Sequence, residues 1–457
     1  LPWFITYGLN THGKLWSFRL QALMHYVAIH SSYGSAHKVI NKALNRTDEI
    51  ELALSTYGDF ERREAASMSS RVEQEARKVL ADIGFDYDTG QLVEPELFAE
   101  ACKQSASKVP PADFGAIDRL YRSIADFMQQ NAKSGARFNL DKLSPDDLAL
   151  NDNTVYIAFD DVLSKMQKET RLAASPVSDS CWNEEAELEN RDKRAFVSNN
   201  CLRIDAPGLA SYFITAPTAE VALKHALAYL GANYLLDGYY LVFLTDGAKS
   251  LHKAIEAQFK HFKYRLILDW HHIVKNCVQF ISQSISGTLV EKRGLRNKIV
   301  GLLWHCDIAS VLNLLAAIKD QDDQLLLTLL YPAESNADSL NKPEQHFIPR
   351  VKNAKKLEEF IGYITRKEHL MACYSFRSYL GLKISSNMAE KANDLLVAQR
   401  QKHNGMSWSQ SGSSGLATIT CFQRNNDLDK WISQRDFSFA AKSIDCPNDP
   451  TSSELAA

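Results

Sequence analysis

The amino-acid sequence predicts an α/β protein in which a mixed β-sheet lies between two helical regions. Apolar residues recur with helical spacing through residues 1–150. From residue 153 onward, short β-rich runs alternate with helical patterns up to about residue 270. Helical spacing then returns and continues to about residue 402.

The N-terminal region, 1–148, is predicted to be a helical domain. Helical spacing runs through 16–30 and 35–44, and Ser55 can cap a further helix that extends to Leu80. A short helix, a break and a helix that carries Arg62, Arg63 and Arg71 are typical of a helix-turn-helix DNA reader. A helical bundle with a solvated charged face explains the same pattern, and both interpretations stay open.

The predicted sheet begins with three strands, and a helix precedes each of two further strands. The β-rich runs are 154–160, 196–204, 211–215, 239–245 and 264–269, with helical patterns at 220–230 and after 247. This order predicts an α/β core over 149–275, completed by 385–415.

The segment 276–384 is predicted to be a helical insertion into this core, because it shows helical spacing and lacks alternating strand runs. A final helix is predicted from about 387 to 402. The polar segment 436–457, with Pro447 and Pro450, is predicted to be a disordered tail.

Composition excludes several classes of protein. Hydrophobic residues make up 45% and charged residues 23% of the 457 residues, which excludes a wholly disordered or fibrous chain. No run approaches the roughly 18 apolar residues of a membrane helix. The eight cysteines form no Cys-x-x-Cys pair, so a zinc ribbon is not expected. The chain begins at Leu1 without an initiator Met, so we expect that the start of the gene is missing.

Charge is distributed unevenly along the chain. The whole chain carries −3, but residues 247–404 hold 23 basic and 15 acidic side chains, a net +8. A basic half is a weak indication of a polyanionic partner.

Acidic residues lie at the ends of three of the predicted strands. They are Asp160 (or Asp161), Asp246 and Asp269. The carboxyl ends of strands are where open α/β sheets hold their functional groups, and clustered carboxylates suit Mg²⁺ or Mn²⁺. Each acid alone could instead be a turn residue or a helix cap.

A glutamate in the last predicted helix offers a further carboxylate. With Asn387 as N-cap, Glu390 would be the N3 acid of a capping box, but it could equally complete a metal site. Helical spacing puts Glu390, Asn393 and Arg400 on one face. Upstream, Asp269 and His272 are spaced for a hydrogen bond, while adjacent histidines are a poor zinc site.

With these motifs the chain resembles a bacterial insertion-sequence DDE transposase of the ISKra type, related to the Mutator-like elements. The resemblance covers about 150–415 and its closing motif is long and specific. The motifs are Phe159-Asp160-Asp161-Val162 with Gln167-Lys168, Thr245-Asp246-Gly247-Ala248, Leu268-Asp269-Trp270-His271-His272 with Lys275, Ser386-Asn387-Met388-Ala389-Glu390-Lys391-Ala392-Asn393-Asp394, and Arg400-Gln401-Lys402-His403-Asn404-Gly405-Met406-Ser407-Trp408-Ser409.

The resemblance implies a ribonuclease-H-like (retroviral-integrase-like) core with a helical insertion. It implies that Asp160, Asp246 and Glu390 are catalytic and hold two Mg²⁺ (or Mn²⁺) ions. Asp269 and His272 match the family's Asp-x-x-His signature, and Lys275 follows them as a supporting residue. Strand alternation separates Asp160 from Asp161, and the family register selects Asp160 for the site.

The implied reaction is hydrolysis of a phosphodiester at the element's ends, after which each 3′-hydroxyl attacks target DNA. Phosphate contacts are expected from the residues of the closing motif and of the N-terminal helices: Lys391, Asn393, Arg400, Lys402, Trp408, Arg62 and Arg63. The partners implied are double-stranded DNA and further copies of the chain on that DNA, in the bacterial cytoplasm (nucleoid).

Two alternatives stay open. A metal-dependent ribonuclease-H-like nuclease or resolvase would use the same acids without joining ends. The family pattern has Pro-Val where this chain has Met388-Ala389, so a decayed or domesticated DNA-binding protein is the second alternative.

Overall fold

A five-stranded mixed sheet organises the molecule. The computed structural model describes residues 17–43, 53–109, 114–132, 138, 153–167, 196–331, 347–402 and 406–444. The strands are β1 Thr154–Lys165, β2 Phe196–Asp205, β3 Tyr212–Ala216, β4 Tyr240–Thr245 and β5 Tyr264–Leu268. The predicted α/β class and these five strands are confirmed.

The strand order is β3-β2-β1-β4-β5. β1 pairs antiparallel with β2, and β2 antiparallel with β3. β1 and β4 are parallel, as are β4 and β5. This order and these directions are compatible with a ribonuclease-H-like core.

Helices flank the sheet and account for most of the remaining described residues. They are α1 Phe18–His30, α2 Tyr33–Ala43, α3 Leu54–Asp82, α4 Pro95–Ala106, α5 Phe114–Ala132, α6 Ala219–Ala232, α7 Lys249–Phe259, α8 Trp270–Ser284, α9 Leu289–Trp304, α10 Ile308–Asp320, α11 Asp323–Leu330, α12 Ala354–Lys367, α13 Tyr374–Tyr379, α14 Asn387–Asn393, α15 Gln399–Gln401, α16 Gln410–Arg424 and α17 Leu428–Gln434.

The alternation of side chains along β1 gives the sheet two apolar faces. Val155, Ile157 and Phe159 belong to a core with α3, α6 and α7. Tyr156 and Ala158 belong to a second core, formed with α8 to α13. Helices α8 to α13 therefore cover one face of the sheet, and α3 helps to cover the other.

The N-terminal helices are joined to the sheet more closely than a separate domain over 1–148 would be. α1, α2 and the start of α3 close a small cluster around Met24 and Tyr57. The rest of α3, including Met68 and Leu80, packs in the same core as the sheet. α3 is 29 residues long and begins after Ala53, without the side-chain cap predicted at Ser55.

The region after β5 departs from the predicted helical insertion at one place. Two short strands, β6 Ile285–Ser286 and β7 Arg350–Val351, pair antiparallel. They join the end of α8 to the start of α12, so 276–384 is helical with this small exception in its described part. Residues 332–346 lie outside the described residues.

The predicted last helix is interrupted. α14 runs into a π-helical segment, Asp394–Ala398, before α15. A π-helical turn holds an extra residue, so side chains after it are rotated relative to an uninterrupted α-helix. This rotation decides where Arg400 lies.

At the edge strand β3, a side chain pairs with backbone groups that would otherwise lack a neighbouring strand. Asn425 accepts a hydrogen bond of 2.9 Å from the backbone N–H of Phe213 and donates one of 2.8 Å to its carbonyl. Beyond α17, Phe437 and Phe439 are 3% and 2% exposed and belong to the sheet's core. The predicted disordered tail is therefore wrong for 436–444, and 445–457 lie outside the described residues.

Candidate functional site

The three predicted acids after strands lie at one edge of the sheet. Parallel pairing of β1 with β4 extends to Ala158 and Leu244, two residues before Asp160 and Asp246. Asp269 follows the last residue of β5. β1 itself continues to Lys165, because β2 pairs with it along that whole length. The prediction that β1 stops at its acid is thus wrong, although its parallel pairing does stop there.

Asp160 and Asp161 have different environments, as the alternation of the strand requires. Asp160 is half-buried, on the face of the fully buried Ala158, while Asp161 is exposed. The side-chain amide of Asn393 donates a hydrogen bond of 2.9 Å to Oδ2 of Asp160. Burial, together with the negative charges of Asp246 and Asp161, raises the pKa of Asp160 to about 6. A half-buried carboxylate next to another acid is a place where a cation would be stabilised.

Asp246 begins a tight turn that leads into α7. Its Oδ1 accepts a hydrogen bond of 2.8 Å from the backbone of Ala248, and Gly247 has a φ of +85°. A side chain at Gly247 would be strained, and its Cβ would lie 2.7 Å from Leu268. A glycine is therefore needed in this turn, which passes close to Leu268 at the end of β5.

A lysine that sequence reasoning missed lies beside Asp246. The ammonium of Lys367, at the end of α12, donates a hydrogen bond to the carbonyl of Gly247. Burial lowers the pKa of Lys367, and the charge of Asp246 opposes that change. Lys367 and Gly247 are 120 positions apart, so no local pattern connects them.

Asp269 caps α8 and orients a histidine. Its Oδ1 accepts a hydrogen bond of 2.8 Å from the backbone of His271. Its Oδ2 lies 2.9 Å from Nδ1 of His272 and also accepts a hydrogen bond from the hydroxyl of Ser386. Burial opposes ionisation, but these hydrogen bonds hold the pKa of Asp269 below its ordinary value. The predicted contact between Asp269 and His272 is confirmed.

Three acids of the site, Asp269, Asp160 and Asp246, all affect the pKa of His272. The hydrogen bond with Asp269 raises the pKa of His272 against the effect of burial, and the charges of Asp160 and Asp246 add to that rise. Because Nδ1 faces Asp269, a cation or a substrate would bind through the opposite ring nitrogen. This is the arrangement in which a carboxylate fixes the orientation of a metal-binding histidine.

Glu390 lies at the same place, on α14. Ligand atoms of Asp269, His272 and Glu390 all come within 4.8 Å of one another. The helix is preceded by Ser386 rather than capped by Asn387, and no side-chain cap is formed. The capping-box alternative for Glu390 is therefore wrong, because its supposed N-cap is already the first helical residue.

The group closest to a metal-ligand set differs from the one implied by the resemblance. Among the described residues it is Asp269, His272 and Glu390, without Asp160 and Asp246. His272 connects the two sets electrostatically. Asp160 and Asp246 thus lie close enough to His272 to act on it through their charges, but they do not belong to the three-residue group.

Three residues expected to contact phosphates are instead engaged inside the fold. Arg400 is 7% exposed and donates a 2.9 Å hydrogen bond to the carbonyl of Ala28. Trp408 is also 7% exposed and lies under the guanidinium of Arg400. Asn393 is 8% exposed and binds Asp160. We assign Arg400 and Trp408 to packing and Asn393 to positioning of Asp160.

The other expected cations are exposed. Lys275, Lys391 and Lys402 lie on the surface near α8 and α14, and Lys391 is 3.8 Å from Asp394. Arg62 is exposed and pairs with Asp59. Exposure of these side chains is what a phosphate contact requires, although the solvated-face interpretation has the same requirement.

Arg63 and Arg71 share α3 with Arg62 but differ from each other. Arg63 is exposed and reaches the carbonyl of Asp59 at 3.3 Å. Arg71 is held by Asp436 at 2.8 Å and by Glu75 at 3.3 Å. Residues 44–52, where the turn of a helix-turn-helix would continue, lie outside the described residues.

None of the helices among the described residues combines the length and the apolar character needed to cross a membrane.

Comparison with models of known protein families finds no match for this chain, and comparison with curated proteins finds none either.

Proposed function

We propose that the chain is a DDE transposase that cuts DNA at the ends of an insertion sequence and joins the freed 3′ ends to target DNA. The observation that carries this proposal is that Asp269, His272 and Glu390 offer ligand atoms within 4.8 Å of one another, at the end of the sheet where the charges of Asp160 and Asp246 also act on His272. The same proposal assigns the sheet and its flanking helices to a ribonuclease-H-like core with an insertion between β5 and α14.

The donor set suits divalent cations. Burial, and after it repulsion by the negative charge of Asp246, raises the pKa of Asp160. A cation between them would remove this repulsion. Carboxylate oxygens are the ligands that Mg²⁺ and Mn²⁺ prefer, and a single imidazole favours Mn²⁺ somewhat more. Asp160, Asp246 and Glu390 would hold two such ions.

Bound divalent ions would supply charge neutralisation at a phosphodiester and activation of an attacking oxygen. Other groups of the protein hold the proposed ligands in position. Asn393 fixes one oxygen of Asp160, and Gly247 with Lys367 fixes the turn that carries Asp246. Pre-arranged groups of this kind contribute to catalysis because they need no rearrangement during the reaction.

His272 is proposed to bind next to the reacting phosphate. The hydrogen bond with Asp269 raises the pKa of His272, which favours the protonated ring, and a protonated ring can donate a hydrogen bond from its outer nitrogen. Asp269, buried and bonded to Ser386, keeps the ring in one orientation.

DNA is proposed to approach across the surface that carries Lys275, Lys391 and Lys402. These lysines lie in the part of the chain whose net charge is +8. Arg62 and Arg63 form a second exposed basic group, on α3, suited to the element's ends. Several copies of the chain would act together on DNA, in the bacterial cytoplasm.

The test uses the DNA that flanks the coding sequence, because an insertion sequence carries its ends there. The purified chain is incubated with a plasmid bearing both flanks, a target plasmid and Mg²⁺, and sequencing scores cut ends and joined products. Joined products with the wild-type chain, absent with Asp246→Asn, support the transposase. Cutting without joining favours the nuclease, and binding without cutting favours a DNA-binding protein that lacks catalysis.

A further inference from the structure

One side of α9 is exposed along most of its length and has an unusual composition. We call this surface the α9 face, and its residues are Leu289, Val290, Arg293, Gly294, Asn297 and Gly301, all of them exposed. Arg293 is its one charged side chain, whereas the solvated face of a helix carries mostly charged and polar residues. Leu289 and Val290 are 84% and 79% exposed, the highest values among the large apolar side chains that the structure describes.

The two glycines of the α9 face serve no purpose within the described fold. A Cβ at Gly294 or at Gly301 would meet no atom within 4 Å, and neither residue has a positive φ. Glycine inside a helix weakens it relative to alanine. Glycine is favoured, however, where another molecule approaches the backbone closely. The pair therefore indicates a partner that lies against α9.

The apolar tip of the α9 face is fixed in position by a capping box. The carboxylate of Glu291 accepts a hydrogen bond of 2.7 Å from the backbone of Thr288, and the hydroxyl of Thr288 accepts one of 3.3 Å from the backbone of Glu291. Leu289 and Val290 lie between these two residues. The tip thus presents two aliphatic side chains to the solvent from a rigid turn.

The charge of α9 identifies the partner as a polyanion. The helix contains four cations, at 292, 293, 296 and 298, and one acid, so that its net charge is 4 − 1 = +3. None of the four cations forms an ion pair with a carboxylate of the described residues. Arg296 donates a hydrogen bond of 2.7 Å to the neutral side chain of Asn297, which leaves its charge uncompensated.

The α9 face leads towards the candidate site. Trp304 follows Gly301 by three positions, on the same side of the helix. Its ring lies 4.8 Å from that of Trp270, which is next to Asp269. The tip at Leu289 is 15 residues from Trp304, about 22 Å along the axis. A duplex that leaves the site along α9 would pass the tip after about six base pairs, at about 3.4 Å for each pair.

A second copy of the chain fits this surface less well than DNA. The α9 face is about 18 Å long and about 10 Å wide, which is a few hundred square ångströms at most. A stable protein interface buries about 800 Å² on each partner. A contact with DNA can be this small, because the site and its lysines would supply the rest of the binding surface.

We propose that the α9 face binds duplex DNA about six base pairs from the bond that is cut. Arg293 contacts a phosphate, and the glycines let the DNA backbone lie against the helix. Leu289 and Val290 enter the minor groove, where DNA-binding proteins commonly place apolar side chains. The proposal rests on the proposed function, because that function brings DNA to this end of the sheet.

The first experiment fills the α9 face. Binding of a labelled duplex of the flanking DNA is measured by fluorescence anisotropy. Gly294→Gln combined with Gly301→Gln should weaken binding at least 10-fold, about 1.4 kcal/mol. The same variant should have a higher melting temperature, because glutamine is the better helix former. A loss of affinity in a more stable protein cannot result from misfolding.

The matched control adds the same side chains to the next helix. Ala309 and Ala316 are exposed on α10 and seven positions apart, as the two glycines are on α9. Ala309→Gln combined with Ala316→Gln should leave DNA affinity within about 2-fold of the wild type, because α10 lies outside the proposed contact.

A second pair of variants separates the charged contact from the apolar one. Arg293→Ala should lower the slope of log affinity against log salt by about 0.9. Leu289→Ser combined with Val290→Ser should weaken binding without a change in that slope, since no phosphate contact is lost.

The outcomes distinguish this inference from the proposed function. If the wild type joins ends but the glycine variant binds DNA as tightly, the α9 contact is wrong and the transposase stands. If the glycine variant loses DNA affinity while the wild type joins no ends, the contact stands and the joining activity is wrong. A wild-type dimer that the glycine variant disrupts, with DNA affinity unchanged, would overturn the contact in favour of a second copy. Absence of DNA binding by the wild type would overturn both.

Discussion

Asn393 holds Asp160 in place from the helix that also carries Glu390. Its side-chain amide lies 2.9 Å from Oδ2 of Asp160, across an interval of 233 residues. The second oxygen of Asp160 accepts the backbone N–H of Asp161 at 2.9 Å. Asn393 and Glu390 lie one turn apart on α14, so this helix connects Asp160 to Glu390. A shift of α14 would therefore also displace the side chain of Asp160 on β1.

Substitution of Asn393 should therefore impair the chemistry more than DNA binding. A hydrogen bond to a charged group contributes about 1.5–3 kcal/mol, so Asn393→Ala should slow cleavage about 10- to 100-fold. DNA affinity, measured by fluorescence anisotropy, should stay within 2-fold. Gln399→Ala is the control, because Gln399 is exposed on the continuing helix and bonds only to Asp394 among the described contacts. Equal effects of the two variants would contradict the positioning role.

Amide substitution of the proposed metal ligands should abolish activity. Asp160→Asn, Asp246→Asn and Glu390→Gln each remove a negative charge while they keep the side chain's shape. Each should reduce cleavage and joining in Mg²⁺ by at least about 100-fold. Asp161→Asn, at the exposed neighbour, should retain most activity. If Asp161→Asn were inactive and Asp160→Asn still cut DNA, the assignment of the first acid would be reversed.

The raised pKa of Asp160 predicts how stability without metal depends on pH. An acid with a pKa of about 6 in the folded state and 3.8 when unfolded stabilises the fold below pH 4 relative to higher pH. That contribution is lost as pH rises through 6. After allowance for solvent screening, the loss is about 1–2 kcal/mol.

Asp160→Asn should remove this dependence. In urea unfolding with a chelator, the variant should gain about 1–2 kcal/mol over the wild type between pH 4 and pH 7. Mg²⁺ added at pH 7 should stabilise the wild type and have a much smaller effect on the variant. An identical response of both proteins to pH and to Mg²⁺ would show that no cation binds at Asp160.

The pKa of His272 should depend on Asp269. Asp269→Asn removes the hydrogen-bonded charge that raises it, so the imidazole should titrate at lower pH in the variant. The measurement is an NMR pH titration of the histidine ring, with His272→Gln to assign the signal. Ser386→Ala serves for comparison: it removes a hydrogen-bond donor to Asp269 but keeps the charge of that carboxylate, so the pKa of His272 should not fall as it does in Asp269→Asn.

Arg62 and Arg63 are predicted to contact phosphates of the element's ends. The double variant Arg62→Ala with Arg63→Ala should reduce the slope of log affinity against log salt by about 2, since each lost contact removes about 0.9. Arg71→Ala is the matched control on the same helix, because Arg71 is already paired with Asp436 and Glu75. A salt slope unchanged by the double variant would assign these arginines to the solvated face. Deletion of the N-terminal helices is a poorer test, since α3 is part of the sheet's core.

Local patterns predicted the sheet well. β-rich and fully apolar runs identified all five strands, and the acids after β4 and β5 predicted the end of the sheet at which carboxylates gather. The predicted end of β1 is wrong because the length of a strand depends on the strand that pairs with it. β2 pairs with β1 as far as Lys165, and no feature of β1 alone records that.

The position of Arg400 shows why residue spacing alone can assign a side chain to the wrong face of a helix. Spacing from Glu390 assigned it to the face of Glu390 and Asn393, on the assumption of an uninterrupted α-helix. The π-helical segment Asp394–Ala398 lies between them and rotates the side chains beyond it. Arg400 points to Ala28 instead, where its guanidinium packs against Tyr33 and Trp408.

Contacts across long intervals carried no sequence signal. Lys367 beside Gly247 and Ser386 beside Asp269 depend on how the helices after β5 fold back over the sheet. The burial of Phe437 and Phe439 did have a signal, since two aromatic residues two positions apart share one side of an extended chain. The polar residues around them concealed it.

The closed edge at β3 limits how copies of this chain can assemble. Asn425 takes the place of a neighbouring strand at Phe213, where it both donates and accepts. An exposed strand edge invites pairing with another chain, and proteins commonly block such edges. Copies brought together on one DNA would therefore meet through other surfaces than an extended sheet at β3. The same side chain lowers the risk that crowded copies aggregate through this strand.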